Sequence, residues 1–322
     1  MKKYFAKALE KSGLNALFGR LHRGETKILL YHSVVKKADF NAGLDYADQC
    51  LTDEEFERQM RFLSRRFNVI SLDDFFKGHR DKEGINVVIT FDDGFLNNYA
   101  VAYPILKRYG LKAAFFVTTS FISEGKTPWF IKLAYEAYKS PRFGKSYEEK
   151  KAVVEKMKKS LRGLAFEEFR KELARFGDVS DDEIFRDGRA YFRPMSWEEV
   201  IRLSGDSTVT IGSHGRTHYP LDILDRETLK SEMLGSKELI EQKIQKRVDY
   251  VSYPHGFISD DVLDATKESG YTAGITTVHG FNCKSSDPYL LKRNEVGNRG
   301  DINIFSSVIS GSWDFFKGFF GQ

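Results

Sequence analysis

The sequence predicts an α/β fold in which about seven parallel strands alternate with helices. Short apolar runs typical of strands alternate with stretches of helical periodicity over most of the chain. The acidic and histidine side chains that are candidates for a site nearly all follow the end of a predicted strand. Because a barrel of parallel strands gathers the carboxyl ends of its strands at one mouth, we expect a (β/α) barrel with its site at that mouth.

The first half of the chain begins with a strand and then a helix. Thr52 and Glu55 have the spacing of a capping box, so we expect a helix to begin there. A second helical stretch, residues 98–109, stops at Gly110, a residue type that commonly ends helices. The strands predicted in this half are residues 27–32, 86–91 and 112–118.

The second half repeats the pattern. Ser196 and Glu199 form another capping-box pair, and helical periodicity covers residues 226–245 and 259–269. The strands predicted in this half are residues 208–212, 249–253, 272–276 and 289–296.

Residues 124–190 interrupt the alternation and are predicted to be a helical insertion. Apolar side chains recur at helical spacing over residues 149–164 and again over 166–176, among many charged residues. Since the insertion leaves from the carboxyl end of a strand, one interpretation makes it a lid or wall beside the site. The other interpretation, a helical addition remote from the site, fits the sequence equally well.

Length and composition indicate one large globular domain, or one domain with additions. The chain has 322 residues, of which 41% are hydrophobic and 30% charged. A formal net charge of +4 is small, and no basic and aromatic stripe suggests a nucleic-acid surface, so we expect no nucleic-acid partner. Cys50 and Cys283 are too few for a disulfide framework and are expected to be reduced thiols.

The most informative segment is Ile-Thr-Phe-Asp-Asp-Gly at residues 89–94, in which an apolar strand ends in Asp92 and Asp93. Much later the chain carries His214 and His218, whose spacing lets both imidazoles face one point. One carboxylate and two imidazoles form a three-ligand metal site with an open position for water, and the second carboxylate is then free to act as a base. The pattern indicates a metal-dependent hydrolase.

Three further segments accompany these motifs: Leu-Leu-Tyr-His-Ser-Val at residues 29–34, Ser-Tyr-Pro-His-Gly at 252–256 and Leu-Leu-Lys-Arg at 290–293. Because all of them occur together and in order, the chain resembles the polysaccharide deacetylases, the NodB-homology domain of carbohydrate esterase family 4, over about residues 27–122 and 191–298. The resemblance implies a distorted seven-stranded (β/α) barrel over residues 27–298, with the insertion at 124–190.

The pattern and the resemblance together assign roles to the motif residues. Asp93, His214 and His218 are expected to bind one divalent metal ion, with zinc as the default because carboxylate and imidazole suit it. Asp92 is expected to be the general base that takes a proton from the attacking water. The metal cation would neutralise Asp93, so Asp92 can remain ionised beside it.

The segment around Pro254 is expected to form the opposite wall. By resemblance, the backbone N–H of Tyr253 helps to hold the oxyanion, and His255 lies beside the substrate. Many family members have an arginine two residues before this proline that holds the catalytic aspartate, whereas this chain has Ser252. We expect Arg293, on the closing strand, to supply the missing cation; the alternative is a surface arginine.

The general acid that protonates the departing amine is expected to be a histidine, whose pKa is near neutral. His279, after the predicted strand 272–276, has about the position of the late histidine of the family. His32 and His255 compete with it.

The predicted function is metal-dependent removal of N-acetyl groups from an amino sugar of a surface or extracellular polysaccharide, or of its lipid-linked precursor. The partner would be an N-acetylated glycan. The alternative is a non-catalytic carbohydrate-binding protein on the same barrel. The complete set of acids and histidines argues against this alternative, and Ser252 in place of the arginine argues slightly for it.

The two ends of the chain have a basic and aromatic character that the barrel does not require. Residues 1–26 form a basic amphipathic leader without the features of a secretory signal, so we expect a cytoplasmic protein, with peripheral contact to the inner membrane face left open. Residues 299–322 form an aromatic-rich C-terminal helix. Both ends either lie in the interface of an anionic membrane or pack as helices on the barrel. The side chains that could face a membrane are Phe5, Leu9, Leu14, Leu17, Phe18, Leu21, Phe305, Ile309, Trp313, Phe316 and Phe320, with Phe315 and Phe319 beside the C-terminal set.

Overall fold

Parallel strands form the centre of the protein. A computed structural model describes residues 2–40, 50–161, 164–174, 180–184, 186, 192–296 and 301–316. The strands among these residues are β1 (Thr26–Tyr31), β2 (Ser33–Val35), β3 (Cys50–Thr52), β4 (Asn68–Val69), β5 (Asn86–Phe91), β6 (Ala113–Val117), β7 (Val209–Ser213), β8 (Tyr250–Ser252), β9 (Ala273–Ile275) and β10 (Asn294–Glu295).

The main sheet runs in the order β10-β1-β5-β6-β7-β8-β9, with β4 paired to β5, and all of its pairs are parallel. Leu291, three residues before β10, forms a parallel bridge with Ile275 of β9, while β10 pairs with β1. The last segment of the barrel therefore joins the two ends of this strand order, because it contains β10 and also pairs with β9. The predicted distorted barrel of seven parallel strands is confirmed, and β2 and β3 form a separate pair.

Helices fill most of the connections between the strands. The α-helices among the described residues are α1 (Lys2–Lys11), α2 (Leu14–Leu21), α3 (Asp53–Arg66), α4 (Leu72–Lys77), α5 (Tyr103–Arg108), α6 (Thr119–Glu124), α7 (Trp129–Lys139), α8 (Tyr147–Leu161), α9 (Phe166–Ala174), α10 (Asp181–Ile184), α11 (Trp197–Ser204), α12 (Arg226–Lys230), α13 (Ser236–Ile244), α14 (Asp260–Glu268), α15 (Ile302–Ser310) and α16 (Ser312–Phe316).

The barrel strands are buried on both faces, as strands between a barrel interior and surrounding helices must be. In β5, Val87, Ile89 and Phe91 join the larger core that includes the helices, and Val88 joins a smaller core with residues of other barrel strands. Successive side chains of a strand point to opposite faces, so Asp92, four residues after Val88, points to the same face as Val88. That face is the interior of the barrel.

Both predicted capping boxes are confirmed. The Thr52 hydroxyl accepts from the N–H of Glu55, and the Ser196 hydroxyl accepts from the N–H of Glu199, with each glutamate returning a bond to the cap. A third box at the start of α4 was not predicted.

Three predicted elements differ in the structure. The helix expected over residues 98–109 begins as the π-turn Asn98–Ala102 and continues as α5. The helix expected over residues 226–245 consists of α12 and α13 joined by the π-turn Ser231–Gly235. The closing strand expected over 289–296 is wrong in its first part, because Asp287 caps the 3-10 turn Pro288–Leu290 ahead of β10.

The described part of the segment between β6 and β7 is mostly helical. It contributes α6 to α11, of which α8 and α9 correspond to the two stretches of helical periodicity in the insertion. Phe176, the last residue of the second stretch, lies outside the described residues.

The helices at the two ends of the chain, α1, α2, α15 and α16, pack together and are called here the terminal helices. Asn15 is buried between them: its amide donates to the Ser307 hydroxyl at 3.2 Å and accepts from the Ser312 hydroxyl at 2.6 Å. None of the described helices is long and apolar enough to cross a membrane. One buried apolar cluster of these helices comprises Ala6, Ile304, Val308 and Trp313.

Four side chains that the sequence offered for a membrane-facing surface are buried within the protein, namely Leu9, Phe305, Ile309 and Trp313. For these residues the membrane interpretation is wrong, because their apolar surface is already covered by neighbouring helices. Phe319 and Phe320 lie outside the described residues.

Candidate active site

Asp92 and Asp93 stand where β5 ends. The strand is buried along its whole length, and the N–H of Asp92 still donates to the Tyr31 carbonyl of β1 at 3.1 Å. The chain then turns, with φ of 72° at Asp93 and 78° at Gly94. A side chain at position 94 would approach Val117 to 3.2 Å, so glycine suits this turn for both its conformation and its size.

The first histidine of the pair follows β7 directly. The Nδ1–H of His214 donates to the Ser252 carbonyl at 2.8 Å, and Nε2 lies 3.5 Å from Asp93. Burial lowers the pKa of His214 to about 4, so the imidazole is neutral near pH 7. With its proton committed at Nδ1, the ring offers a lone pair at Nε2.

The second histidine completes a three-residue group. His218 Nε2 lies 3.3 Å from Asp93 Oδ1, and ligand atoms of Asp93, His214 and His218 all lie within 4.8 Å of one another. Among the described residues the buried Oδ1 of Asp93 has no hydrogen-bond partner. A carboxylate and two imidazoles around such an unsatisfied anionic oxygen fit a divalent metal ion, because the cation would supply the missing partner.

Backbone strain is concentrated in and beside this group. Four of the described residues other than glycine have a positive φ, and three of them are Asp93, His218 and His255, at 72°, 59° and 59°. A left-handed conformation costs a residue other than glycine roughly 1–3 kcal/mol and persists only where the surroundings enforce it. The fold thus maintains an unfavourable local conformation to bring these side chains together.

Asp92 is held by an ion pair. Arg293 Nη1 and Nη2 each donate to one carboxylate oxygen of Asp92 at 2.7 Å, and the Ser252 hydroxyl donates to Oδ2 at 3.0 Å. Burial alone would raise the pKa of Asp92, but Arg293 and then His214 outweigh it and hold the pKa well below its usual range. Arg293 is buried, so the alternative of a surface arginine is wrong.

A buried carboxylate supports the loop between the two histidines. Glu232, in the π-turn Ser231–Gly235, accepts from the N–H groups of Arg216 at 2.8 Å and Thr217 at 3.0 Å. It also accepts from the Thr217 hydroxyl at 2.7 Å. The sequence does not mark Glu232 as a functional residue, because its place in the helical pattern is that of any charged residue on a helix.

Asp92 and the three candidate metal ligands line a cavity of about 650 Å³, within the usual range for ligand sites. Arg293 contacts Asp92 without lining the cavity. The other eight predicted site residues all line it: His32, Asp92, Asp93, His214, His218, Tyr253, His255 and His279.

His32 and His279 differ in what they contact. His32 follows β1 and lies close to Asp92 and Asp93. Burial and nearer groups have the larger effects on the pKa of these two carboxylates, and the charge of His32 contributes to lowering both. His279 Nδ1 lies 3.4 Å from a carboxylate oxygen of Asp314 in α16. Of the two, only His32 has a described electrostatic interaction with the acid pair.

The Tyr253–His255 wall corrects one expectation. The N–H of Tyr253 donates to the Ile275 carbonyl in the pairing of β8 with β9, at 3.1 Å. It is therefore not available to an oxyanion, and the predicted role of this N–H is wrong. The ring centroid of His255 lies 4.6 Å from that of His218, and burial lowers the pKa of His255 well below its usual value, so His255 is neutral.

The helical insertion forms one wall of the cavity. The Trp129 ring lies 6.0 Å from the His255 ring, and the Phe130 ring lies 4.7 Å from the His218 ring. The interpretation of the insertion as a wall is supported, and that of a remote addition is wrong. No sequence motif marks these aromatic residues, although Trp129 and Phe130 directly follow Pro128 at the start of α7. Insertion residues that line the cavity are Trp129, Phe130, Glu155, Lys158, Lys159, Leu161 and Phe169.

Comparison with known proteins gives a consistent set of similarities. The family model described as Polysaccharide deacetylase matches residues 79–274. The chain is 26% identical over 295 residues to the Bacillus subtilis protein YxkH, whose name assigns it provisionally to the polysaccharide deacetylases; the match covers 88% of this chain and 75% of that protein.

A second curated relative is the poly-beta-1,6-N-acetyl-D-glucosamine N-deacetylase of Staphylococcus epidermidis, 22% identical over 299 residues, which cover 89% of this chain and 83% of the relative. Among solved structures, the Streptococcus pyogenes deacetylase PplD in complex with acetate aligns with a TM-score of 0.60 at 17% identity. That alignment covers 88% of this chain and 98% of PplD. At this identity the likeness concerns the fold.

Proposed function

Because the chain belongs to the polysaccharide deacetylase family, we propose that it is a metal-dependent hydrolase that removes N-acetyl groups from an amino sugar. The substrate would be a surface or extracellular polysaccharide or its lipid-linked precursor. The observation that carries the proposal is the buried group of Asp93, His214 and His218 beside the ionised Asp92 in one cavity. This combination provides both a cation site and a proton acceptor at the same point.

In the proposed reaction, water adds to the acetamide carbonyl and the C–N bond breaks, which leaves acetate and a free amine. Asp93, His214 and His218 would hold one divalent ion, with zinc as the default for these donors. When bound, the ion would supply Lewis acidity that activates water and polarises the acetyl carbonyl.

Asp92 would accept the proton of the attacking water. A carboxylate has about four acceptor positions, and Arg293 and Ser252 together occupy three of those on Asp92, which leaves one on Oδ1. The lowered pKa keeps Asp92 ionised at working pH, and the two-pronged contact with Arg293 fixes the orientation of the carboxylate.

His32 would donate a proton to the departing amine. It lines the cavity and interacts electrostatically with the acid pair, whereas the described polar contact of His279 is with Asp314. His279 remains the second candidate because it also lines the cavity.

An N-acetylated glycan is the substrate class that the surroundings support. Trp129, Phe130 and Phe169 present aromatic surface to the cavity, which suits the apolar faces of sugar rings. The name of the Staphylococcus epidermidis relative specifies an N-acetylglucosamine polymer. Cys50 and Cys283 are thiols rather than a disulfide, which supports the further proposal of a reducing, cytoplasmic location.

The proposal is tested by measuring acetate release from N-acetylglucosamine oligomers. The metal-loaded protein should release acetate, and Asp92→Asn should bind metal normally but lose turnover by about 10²- to 10⁴-fold, because an amide cannot accept the proton. Asp222→Asn, at an exposed position outside the cavity, is the matched control and should retain full activity.

Turnover at the original rate in a folded, metal-loaded Asp92→Asn protein would contradict the proposed role of this residue. If the metal-loaded protein binds the oligomers but releases no acetate, the result favours the alternative of a non-catalytic carbohydrate-binding protein.

A further inference from the structure

The outer surface of the terminal helices exposes a concentration of large apolar side chains. Eight large apolar residues are exposed in the described part of the chain, and four of them lie on α1, α2 and α16. These four are Tyr4, Leu17, Leu21 and Phe315, which are 82%, 50%, 69% and 64% exposed. The other four are distributed singly over separate elements, so the concentration is specific to the terminal helices.

Three of these side chains belong to one continuous patch. Leu17 and Leu21 lie one helical turn apart on α2 and therefore share a face. Phe18, which is next to Leu17 and three residues from Leu21, has its ring 5.2 Å from that of Phe315. We call Leu17, Phe18, Leu21 and Phe315 the terminal patch.

Basic side chains accompany the patch. Lys7 and Lys11 are exposed on α1, where they share a face with Tyr4, and Arg20 is exposed on α2. The acidic residue of these two helices, Glu10, bonds instead to other terminal helices, with its carboxylate accepting from Asn15 at 2.6 Å and from Ser306 at 2.9 Å. The outward charge of α1 and α2 is therefore positive.

The patch is carried by a rigid support. The inner sides of the same helices are buried, and the hydrogen bonds of Asn15 join α2 to α15 and to the first residue of α16. The terminal patch is thus not an incompletely packed core but the outer face of helices whose inner face is already covered.

We propose that the terminal patch, together with Lys7 and Lys11 of α1 and Arg20 of α2, docks the protein on an anionic phospholipid surface. Apolar and aromatic side chains can enter the boundary between headgroups and acyl chains, while the basic side chains pair with lipid phosphate. This charge complementarity favours an anionic bilayer over a protein partner, since exposed basic side chains on the helices that carry an apolar patch match a surface that is uniformly negative.

Vesicle co-sedimentation of the full chain tests the proposal. The protein should sediment with vesicles that contain phosphatidylglycerol at low salt, and much less with pure phosphatidylcholine or at high salt. A variant with Leu17→Ser, Leu21→Ser and Phe315→Ser should partition on the order of tenfold more weakly, and so should Lys7→Gln with Lys11→Gln.

Ile201→Ser with Leu290→Ser is the matched control, because these residues are 43% and 39% exposed but lie on other elements. This control should sediment like the unmodified protein. All variants should retain their fold by circular dichroism, so that weaker binding reports the surface and not unfolding.

Equal sedimentation with neutral and anionic vesicles, or unchanged binding by the triple serine variant, would overturn the proposal. A dimer in solution that the triple variant converts to a monomer, without vesicle binding by either protein, would also overturn it and identify a second copy of the chain as the occupant. None of these outcomes depends on acetate release, so the proposal can fail independently of the proposed function.

Discussion

Two adjacent carboxylates in this protein have different surroundings and therefore different proposed uses. Asp92 is neutralised by Arg293 through two bonds of 2.7 Å, whereas Asp93 faces the imidazoles of His214 and His218 at 3.5 and 3.3 Å. Among the described residues the buried Oδ1 of Asp93 has no hydrogen-bond partner, and a cation would provide one. Burial and contacts, rather than residue type, distinguish the proposed base from the proposed ligand.

The proton donor can be identified at the same scale by a matched pair of variants. His32→Gln should reduce the turnover number on the order of 10²-fold, because it removes the proposed donor to the amine, and His279→Gln should change it little. Both variants should bind metal as the unmodified protein does, since neither residue belongs to the ligand group. A large loss for His279→Gln with full activity of His32→Gln would reverse the assignment.

At the scale of elements, the loop that carries the two histidines depends on a helix elsewhere in the chain. Glu232 connects the π-turn between α12 and α13 to the backbone of Arg216 and Thr217. We expect Glu232→Gln to weaken metal affinity by about 10- to 100-fold, because its amide cannot accept all three bonds and the loop loses its fixed conformation.

Isothermal titration with zinc measures this effect. Glu238→Gln, an exposed change on α13, is the control and should leave metal affinity unchanged. Thr217→Val removes only one of the three bonds to Glu232, so it should cause a smaller loss even if Glu232→Gln proves unstable. Unchanged affinity in both loop variants would show that Glu232 does not position the histidines.

Elements with a strong local signal were predictable from the sequence. The capping boxes at Thr52 and Ser196 were correct because the cap bonds form within one turn. The closing strand was misjudged, because a two-residue strand has almost no periodicity of its own and its pairing with β1 depends on closure of the barrel.

For the whole molecule, the fold could be predicted because the alternation of strands and helices extends along the chain and the motifs occur in a recognisable order. The detailed site could be predicted only in part. Asp92 and Arg293 lie 201 positions apart in the sequence, and Glu232 contacts a loop through backbone groups that no sequence pattern marks. The N–H of Tyr253 was misassigned because only the sheet register reveals its use in strand pairing.

The additions to the barrel also become interpretable only in three dimensions. Their sequences have helical periodicity, which does not indicate where a helix docks. In the structure the insertion contributes an aromatic wall to the cavity, and the terminal helices cover one another and leave the terminal patch outside. Recognition of the substrate and attachment to a surface are therefore proposed for different parts of the molecule.

The most direct test of the account is the metal content of purified protein together with its acetate release. The unmodified protein should hold one divalent ion per chain, and His218→Ala should lose both the ion and the activity because it removes one of three ligands. His79→Ala, at a side chain that is 69% exposed, should change neither. Stoichiometric metal retained by His218→Ala would contradict the assignment of Asp93, His214 and His218 as the metal site, and with it the central claim.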